Sequence, residues 1–179
     1  GLRISKNKNL EMIYNGIHAS GESVVIPSEY ETVTLTMVAN FFPEKDHLTL
    51  IKAFEILRKT HPLKLQLIAE GDTDYQKEVL GYIEDRNISD IHIQPSRNED
   101  TYTHKTDIFV LTSHSEGDPI VLKEAMSVGL PVVASDVGAV HEVIDDRKDG
   151  LLIPEASVDD LVGALSELIQ NEELRRKLS

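Results

Sequence analysis

The sequence predicts a single α/β domain whose parallel β-sheet is covered by helices on both faces, a three-layer sandwich. Three observations predict this fold. Short apolar runs alternate with helix-period segments, the apolar runs are rich in Val, Ile and Leu, and the chain contains no internal repeat. Strands joined by crossover helices are buried on both faces, which is why they read as near-continuous apolar runs. About six such runs occur, so we expect about six parallel strands with right-handed connections.

The predicted elements follow in a regular order after a polar lead-in segment at residues 1–30. Strands are expected at 33–39, 65–69, 91–94, 108–111, 131–134 and 151–153. Helices are expected at 48–59, 75–86 and 119–128, from 157 onward and after 171, with a further apolar segment at 140–144. The domain itself is therefore assigned to residues 31–179.

Capping residues mark where several of these helices begin or end. Asp46 and Asp74 stand at expected N-cap positions, and Asn171 can cap the last helix. Ser157 begins a capping box. Pro62 ends the first helix, because a proline disfavours the helical conformation of the residue before it.

The composition excludes several classes of protein. The chain has 179 residues with 18 Lys plus Arg against 31 Asp plus Glu, and its net charge of −13 argues against broad binding to nucleic acids or anionic membranes. There is no cysteine for a disulfide or a thiolate metal site, and the seven His lack metal-ligand spacing. No apolar stretch approaches the roughly 20 residues that span a bilayer, so we expect neither a transmembrane helix nor a secretory signal.

The loop at residues 112–119 is the most informative one, because ligands of open α/β sheets bind beyond the carboxyl ends of the strands. Asp118 is expected as the N-cap of the following helix, with Pro119 at the first helical position. The backbone N–H groups of Ile120 and Val121 would then face a ligand. Because the start of a helix carries partial positive charge, this position suits a phosphate.

Glu116 and Glu124 flank this helix start, with seven residues between them. Both side chains can point toward one crevice, where they could accept hydrogen bonds from sugar hydroxyls. Equally, Glu116 could act as a cap and Glu124 as a solvated helix residue. The spacing by itself leaves both interpretations open.

Other nucleotide-binding proteins fit the sequence less well. The G-x-G-x-x-G turn of a nicotinamide-dependent dehydrogenase is missing, and so is the G-x-x-x-x-G-K phosphate loop. Glu44 and Asp46 are a poor version of the acidic cluster of a flavodoxin-like receiver. A nucleotide-sugar epimerase half-domain and a nucleotide-binding module without turnover both stay open as alternatives.

Seven motifs follow one another along nearly the whole chain. They are YNGI at 14–17, VANFFPEKDH at 38–47, LIAEGD at 67–72, SEGDPIVLKEAM at 115–126, GLPVVASDVG at 129–138, EV at 142–143 and DGLL at 149–152. Together they resemble the C-terminal, donor-binding half of retaining GT-B glycosyltransferases of family 4, the glycosyl transferases group 1. The resemblance implies a Rossmann-like domain and favours the functional interpretation of Glu116 and Glu124, which fit the family's pair of glutamates.

By that resemblance, Lys45 contacts the diphosphate of a nucleotide sugar and acts with Glu116 in catalysis. Glu116 binds hydroxyls of the transferred sugar, and Glu124 binds ribose hydroxyls of the nucleotide. A cation beside the diphosphate is chemically sensible, because the leaving group gains negative charge as the glycosidic bond breaks. No metal or other cofactor is implied.

The resemblance also implies further contacts with the donor. Gly117, Ile120 and Val121 belong to the loop and helix start that hold it. Asn40 stands where many relatives carry the Arg of a Gly-Arg pair, so a second cation is missing there. An Asn can still donate a neutral hydrogen bond, about half as strong as a charge-assisted one.

Four residues are weaker candidates. Gln94, Pro95 and Arg97 follow a strand where the family places the nucleobase. Gly138 either lets backbone approach the ligand or simply makes a turn.

The implied function is donor binding in an enzyme that moves a hexose from a nucleotide sugar, such as a UDP-hexose, to an acceptor with retention of configuration. Polysaccharide or glycolipid synthesis in the cytoplasm is the expected setting. We expect the N-terminal acceptor domain of such enzymes to lie outside this chain, so that the chain binds the donor without transferring the sugar. That domain is the expected protein partner, no nucleic acid is expected, and membrane contact would come only through that domain or the acceptor.

Overall fold

The computed structural model describes residues 16–17, 31–71, 73–95 and 106–179. Over these residues, strands and helices alternate as the sequence predicts. The strands are β1 (Val33–Val38), β2 (Leu63–Ile68), β3 (Ile91–Gln94), β4 (Ile108–Leu111), β5 (Val132–Ser135) and β6 (Leu151–Ile153). The helices are α1 (His47–Leu57), α2 (Asp74–Asp85), α3 (Ile120–Ser127), α4 (Val158–Gln170) and α5 (Glu172–Lys177), with short 3-10 helices at Pro43–Lys45 and Val140–Glu142. Most of the lead-in predicted at 1–30 lies outside the described residues.

The six strands form one sheet in the order β3-β2-β1-β4-β5-β6, and every pair of neighbours is parallel. This confirms the predicted Rossmann-like α/β fold. The chain builds the sheet outward in one direction from β1 and then returns to begin the other half at β4, beside β1. The loops that leave β1 and β4 therefore diverge, and a crevice is expected between them at the carboxyl edge of the sheet.

Two buried apolar clusters cover the two faces of the sheet. Val110 of β4 belongs to a cluster that includes Leu50 of α1 and Leu161 of α4. Its neighbours Phe109 and Leu111 belong to a second cluster with side chains of α3 and β5. Because successive side chains of a strand point to opposite faces, the two clusters lie on opposite faces, which confirms the three-layer arrangement.

Apart from Asp118, which belongs to the site described below, three of the predicted N-caps are confirmed and one is wrong. The side chains of Asp46, Ser157 and Asn171 accept hydrogen bonds from backbone N–H groups three residues later, at 3.2, 3.3 and 3.0 Å. Asp74, however, is the first residue of α2, and Thr73 is its cap, with Oγ1 3.0 Å from the backbone nitrogen of residue 76. Thr73 has the extended conformation that a cap requires, so its hydroxyl takes the role predicted for the following carboxylate.

Candidate functional site

An open cleft of about 280 Å³ lies at the carboxyl edge of the sheet, where β1 and β4 are neighbours. Its lining comes from the ends of β1 and β2, the loop after β1, the loop after β4 and the start of α3. The lining residues are Val38, Ala39, Asn40, Lys45, Ile68, Glu116, Asp118, Pro119, Ile120 and Val121. Five residues predicted as donor-binding, at 40, 45, 116, 120 and 121, are therefore brought together.

Lys45 and Glu116 form an ion pair in this cleft. The Lys45 Nζ lies 2.7 Å from the Glu116 Oε1, and the two side chains are 29% and 8% exposed. The buried Ser113 hydroxyl donates to the same Oε1 at 2.6 Å. The described hydrogen bonds of the Glu116 carboxylate thus converge on one oxygen, so its second oxygen is the one left for a ligand.

Contacts between the two loops hold Lys45 opposite Glu116. The Thr112 hydroxyl donates to the Asp46 carbonyl at 2.9 Å, and the His114 backbone N–H donates to the Glu44 carbonyl at 2.8 Å. Asp46 itself has a left-handed backbone, with φ of 46°, which turns the chain from the 3-10 helix into α1. The loop after β4 therefore fixes the position of the residues on both sides of Lys45.

The buried side chain of His47 supports the backbone at the end of β1. Its Nε2 lies 3.0 Å from the Ala39 carbonyl, and its ring packs on Phe41 with centroids 4.7 Å apart. Since a carbonyl can only accept, Nε2 carries the ring proton. Burial lowers the pKa of His47 to about 4, so the ring is neutral near pH 7.

Gly138 packs against the backbone of Glu116. It has φ of +53°, and a Cβ at this position would meet the Glu116 carbonyl oxygen at 2.0 Å. The neighbouring Ala139 N–H donates to the same carbonyl at 2.8 Å. The loop after β5 thus holds the backbone of Glu116 in place. A glycine is required at position 138 because the backbone there is left-handed and because the Glu116 backbone approaches it closely.

The start of α3 differs from the prediction. The helix begins at Ile120, because Pro119 has ψ of 72° and occupies the N-cap position without a side-chain cap. Asp118 is therefore not the N-cap, and its carboxylate pairs with Lys123. The Ile120 N–H donates to the Asp118 carbonyl at 2.9 Å, so the expectation that it faces a ligand is wrong. Among the described residues, the Val121 N–H has no backbone acceptor and stays available to an anion in the cleft.

Comparison with known proteins identifies the family. Residues 23–179 match the family of glycosyl transferases group 1. The chain belongs to this family. It is 31% identical over 176 residues to an uncharacterized glycosyltransferase of Methanocaldococcus jannaschii, covering 97% of this chain and 47% of that protein. The chain thus spans about half the length of the curated relatives it matches, which are transferases and do not favour the epimerase alternative.

Two solved structures show the same fold. A mutant of S. aureus TarM, crystallised with Fondaparinux, alpha-GlcNAc-glycerol and UDP, superposes with a TM-score of 0.84 at 23% identity, over 97% of this chain and 35% of that one. The C-terminal domain of a glycosyl transferase group 1 family protein (LpcC) from Francisella tularensis gives a TM-score of 0.72 at 24% identity, over 82% of this chain and 80% of that one. The described domain therefore has the architecture of a C-terminal GT-B domain.

Asn40 is anchored by its side chain. Its Oδ1 accepts a hydrogen bond from the Glu70 N–H at 3.2 Å. Because the backbone partner is a donor, the oxygen of the amide must face it, and the amide nitrogen points elsewhere. Asn40 is exposed at the cleft, so this nitrogen can donate one neutral hydrogen bond to a ligand there.

The other predicted residues that the structure describes do not line the cleft. Glu124 lies half-buried in the second turn of α3, and Gly117 is exposed in the loop before it. Gln94 and Pro95 lie at the end of β3, with β2 between them and β1. Arg97 is outside the described residues.

Sequence reasoning missed Ser113 and assigned Asp118 and Pro119 only a capping role. All three lie in the loop predicted to be most informative, yet neither their residue types nor their spacing indicates a contact with Glu116 or with the cleft. Ser113 could have been found only from its place at the end of a buried strand, three residues before Glu116.

Two searches over the described parts of the chain give negative findings. In residues 31–71, 73–95 and 106–179, no helix has the length and apolar character needed to cross a membrane. In the same ranges, no group of three or more His, Asp or Glu side chains is placed to hold a metal ion.

Proposed function

We propose that the cleft binds a nucleotide sugar and that this chain is the donor-binding domain of a retaining glycosyltransferase of family 4. The observation that carries the proposal is the ion pair of Lys45 with Glu116, 2.7 Å apart in a cleft that also includes the start of α3. A cation and a helix start suit a diphosphate, and a carboxylate suits sugar hydroxyls. The cleft thus offers partners for the diphosphate and for the sugar of a nucleotide sugar.

In the proposed reaction, the bond between the anomeric carbon and the diphosphate oxygen breaks, and the electron pair stays on that oxygen. Lys45 and the Val121 N–H stabilise the charge that develops there, because both are held in place before the reaction begins. Glu116 holds the hexose by its hydroxyls while a hydroxyl oxygen of the acceptor bonds to the anomeric carbon with retention of configuration. The proton of that hydroxyl passes to the departing diphosphate oxygen. No metal takes part in this proposal.

The nucleotide would extend from the diphosphate along α3. Glu124, in the second turn of that helix, would bind the ribose hydroxyls, and Gln94 with Pro95 would lie near the base. Asn40 would add a neutral hydrogen bond to the diphosphate in place of a second cation. The UDP named in the TarM structure makes a UDP-hexose the first donor to test.

We place the transfer itself in a longer protein, because the relatives are about twice as long as this chain and catalysis needs both substrates in position. An N-terminal domain would bind the acceptor across the cleft, and this domain alone would bind the donor without turnover. Polysaccharide or glycolipid synthesis in the cytoplasm is the proposed setting, with membrane contact only through that domain or the acceptor.

Calorimetric titration of the chain with UDP, GDP and ADP tests the proposal, first with magnesium and then with a chelator. We expect one nucleotide to bind in both conditions and its affinity to fall at least about tenfold in Glu124→Ala. Glu172→Ala, in α5, is the matched control and should bind like the unsubstituted chain. Failure of all three nucleotides to bind a folded sample would contradict the proposal.

A further inference from the structure

The charges that line the cleft are unfavourable for a bare diphosphate. Of the described lining residues, Lys45 is the one basic residue, whereas Glu116 and Asp118 are acidic. Asp118 is paired with Lys123, and Glu116 is paired with Lys45. The cation that a diphosphate needs is therefore already engaged by a carboxylate.

Separating this pair is costly unless something replaces Lys45. The Glu116 side chain is 8% exposed, so water compensates its charge poorly. A buried carboxylate that loses its partner is strongly destabilised. Ser113 holds the Glu116 carboxylate by Oε1, which keeps it from following Lys45 toward a ligand.

A nucleotide sugar and a free nucleoside diphosphate differ in what they bring to Glu116. The sugar brings hydroxyl groups that can donate hydrogen bonds to a carboxylate. The free diphosphate brings none, and its terminal phosphate carries an additional charge once its last proton leaves near pH 6. That charge would lie beside Glu116, where low exposure weakens solvent screening.

This inference rests on the donor site of the proposed function. We propose that Glu116, held by Ser113, makes this cleft bind the nucleotide sugar more tightly than the bare nucleoside diphosphate. Sugar hydroxyls replace Lys45 as hydrogen-bond donors to Glu116, and Lys45 then binds the diphosphate. When the glycosidic bond breaks, the hydroxyls leave with the transferred sugar and the new phosphate charge faces Glu116. The same carboxylate that binds the donor thus promotes release of the product.

The test compares a nucleoside diphosphate with its sugar derivative by calorimetry on the chain and on Glu116→Gln. The pair is chosen by whichever nucleotide binds the unsubstituted chain: UDP with UDP-glucose, GDP with GDP-mannose, or ADP with ADP-glucose. Glu116→Gln removes the charge but keeps the shape, so we expect the diphosphate to bind about tenfold more tightly at pH 7.5. The nucleotide sugar should gain nothing or bind more weakly, and the gain for the diphosphate should shrink at pH 5.5, where its terminal phosphate is protonated.

Two control variants separate this effect from simpler causes. Glu172→Gln removes the same charge from α5 and should leave both affinities unchanged, which controls for the net charge of −13. Glu116→Asp keeps the charge and should show no gain for the diphosphate. Ser113→Ala should weaken the nucleotide sugar about threefold to tenfold without a matching loss for the diphosphate, and Ser113→Thr should restore it.

The outcomes distinguish this inference from the proposed function. If a nucleotide binds but Glu116→Gln gives no gain, or an equal gain for both ligands, the discriminating role of Glu116 is wrong and the donor site stands. If neither the nucleoside diphosphates nor their sugar derivatives bind the folded chain, the donor site is wrong and the discriminating role fails with it.

Discussion

Charged side chains that are buried or half-buried occur at both edges of the sheet, but the partners that the structure describes for them differ. At the amino edge, Asp107 accepts a hydrogen bond from the Thr34 N–H at 2.7 Å, and burial raises the pKa of its carboxyl. Arg175 of α5 is 2% exposed and donates to the carbonyls of Leu168 and Ile169 at 2.8 and 3.0 Å. Both side chains thus have backbone groups among their partners.

At the carboxyl edge, the partners are side chains that face a cleft. Lys45 and Glu116 satisfy each other, and both line the space where a ligand would lie. A backbone partner cannot be exchanged without unfolding, whereas a side-chain partner can be exchanged for a ligand. The comparison indicates that charges at the amino edge serve stability, whereas under the proposed function charges at the carboxyl edge serve binding.

The largest effect should come from removing the arginine at the amino edge. Arg175→Met leaves two buried carbonyls unsatisfied and takes away the positive charge near Asp107, so we expect a loss of about 3 kcal/mol in the free energy of unfolding. Urea unfolding measures this loss of stability. Arg176→Met, which removes the exposed neighbour, should cost less than about 0.5 kcal/mol. Equal losses in the two variants would contradict the structural role of Arg175.

The next effect concerns the backbone contact between Gly138 and Glu116. Gly138→Ala forces a Cβ against the Glu116 carbonyl and strains a left-handed backbone, so we expect a loss of about 2.5 kcal/mol in stability together with weaker donor binding. Gly163→Ala is the matched control: it lies inside α4, where a Cβ meets nothing within 4 Å, and should stabilise the protein by about 1 kcal/mol. A neutral Gly138→Ala would show that the backbone contact is not required.

A third effect depends on pH through His47. Its pKa in the folded state is about 4, below the ordinary histidine value of 6.5, so between these pH values the unfolded chain binds a proton that the folded chain does not. Stability due to this group is therefore full above pH 6.5 and falls as the pH drops toward 4, by about 2 kcal/mol between pH 7 and pH 5. Urea unfolding at both pH values should show this loss, and His47→Gln, neutral throughout, should lack that part of it. The same pH dependence in both proteins would contradict the prediction.

The smallest of these effects is a change in binding. Lys45→Met should weaken UDP at least about tenfold, equivalent to about 1.4 kcal/mol, while affecting uridine little, because the proposed contact of Lys45 is with the diphosphate alone. Calorimetry with the two ligands measures the difference. Lys77→Met breaks an exposed ion pair of the same kind on α2 and should change neither affinity. Equal losses for UDP and uridine would remove the phosphate role of Lys45.

Periodicity and capping chemistry predicted most of the fold from the sequence. Alternating apolar runs located all six strands, and the caps at Asp46, Ser157 and Asn171 are local signals that need no tertiary information. The start of α3 was misplaced by one residue, because the ψ of 72° at Pro119 is set by how the loop packs and not by the residue type.

The candidate site was predictable only in part. The loops that carry Lys45 and Glu116 could be assigned to the carboxyl edge, but their contact depends on β1 lying beside β4, which no local pattern encodes. The roles of Ser113 and Gly138 depend on distances between loops that are distant in sequence. Such contacts are properties of the assembled fold.

A backbone NMR titration of the folded chain with UDP, GDP and ADP tests directly whether the carboxyl edge of the sheet binds the donor. If the carboxyl edge is the donor site, one nucleotide should shift the amide signals of Asn40, Gly117 and Val121 and leave that of Arg175 unchanged. Shifts at the amino edge alone, or an unchanged spectrum at saturating concentrations of all three nucleotides, would contradict the claim.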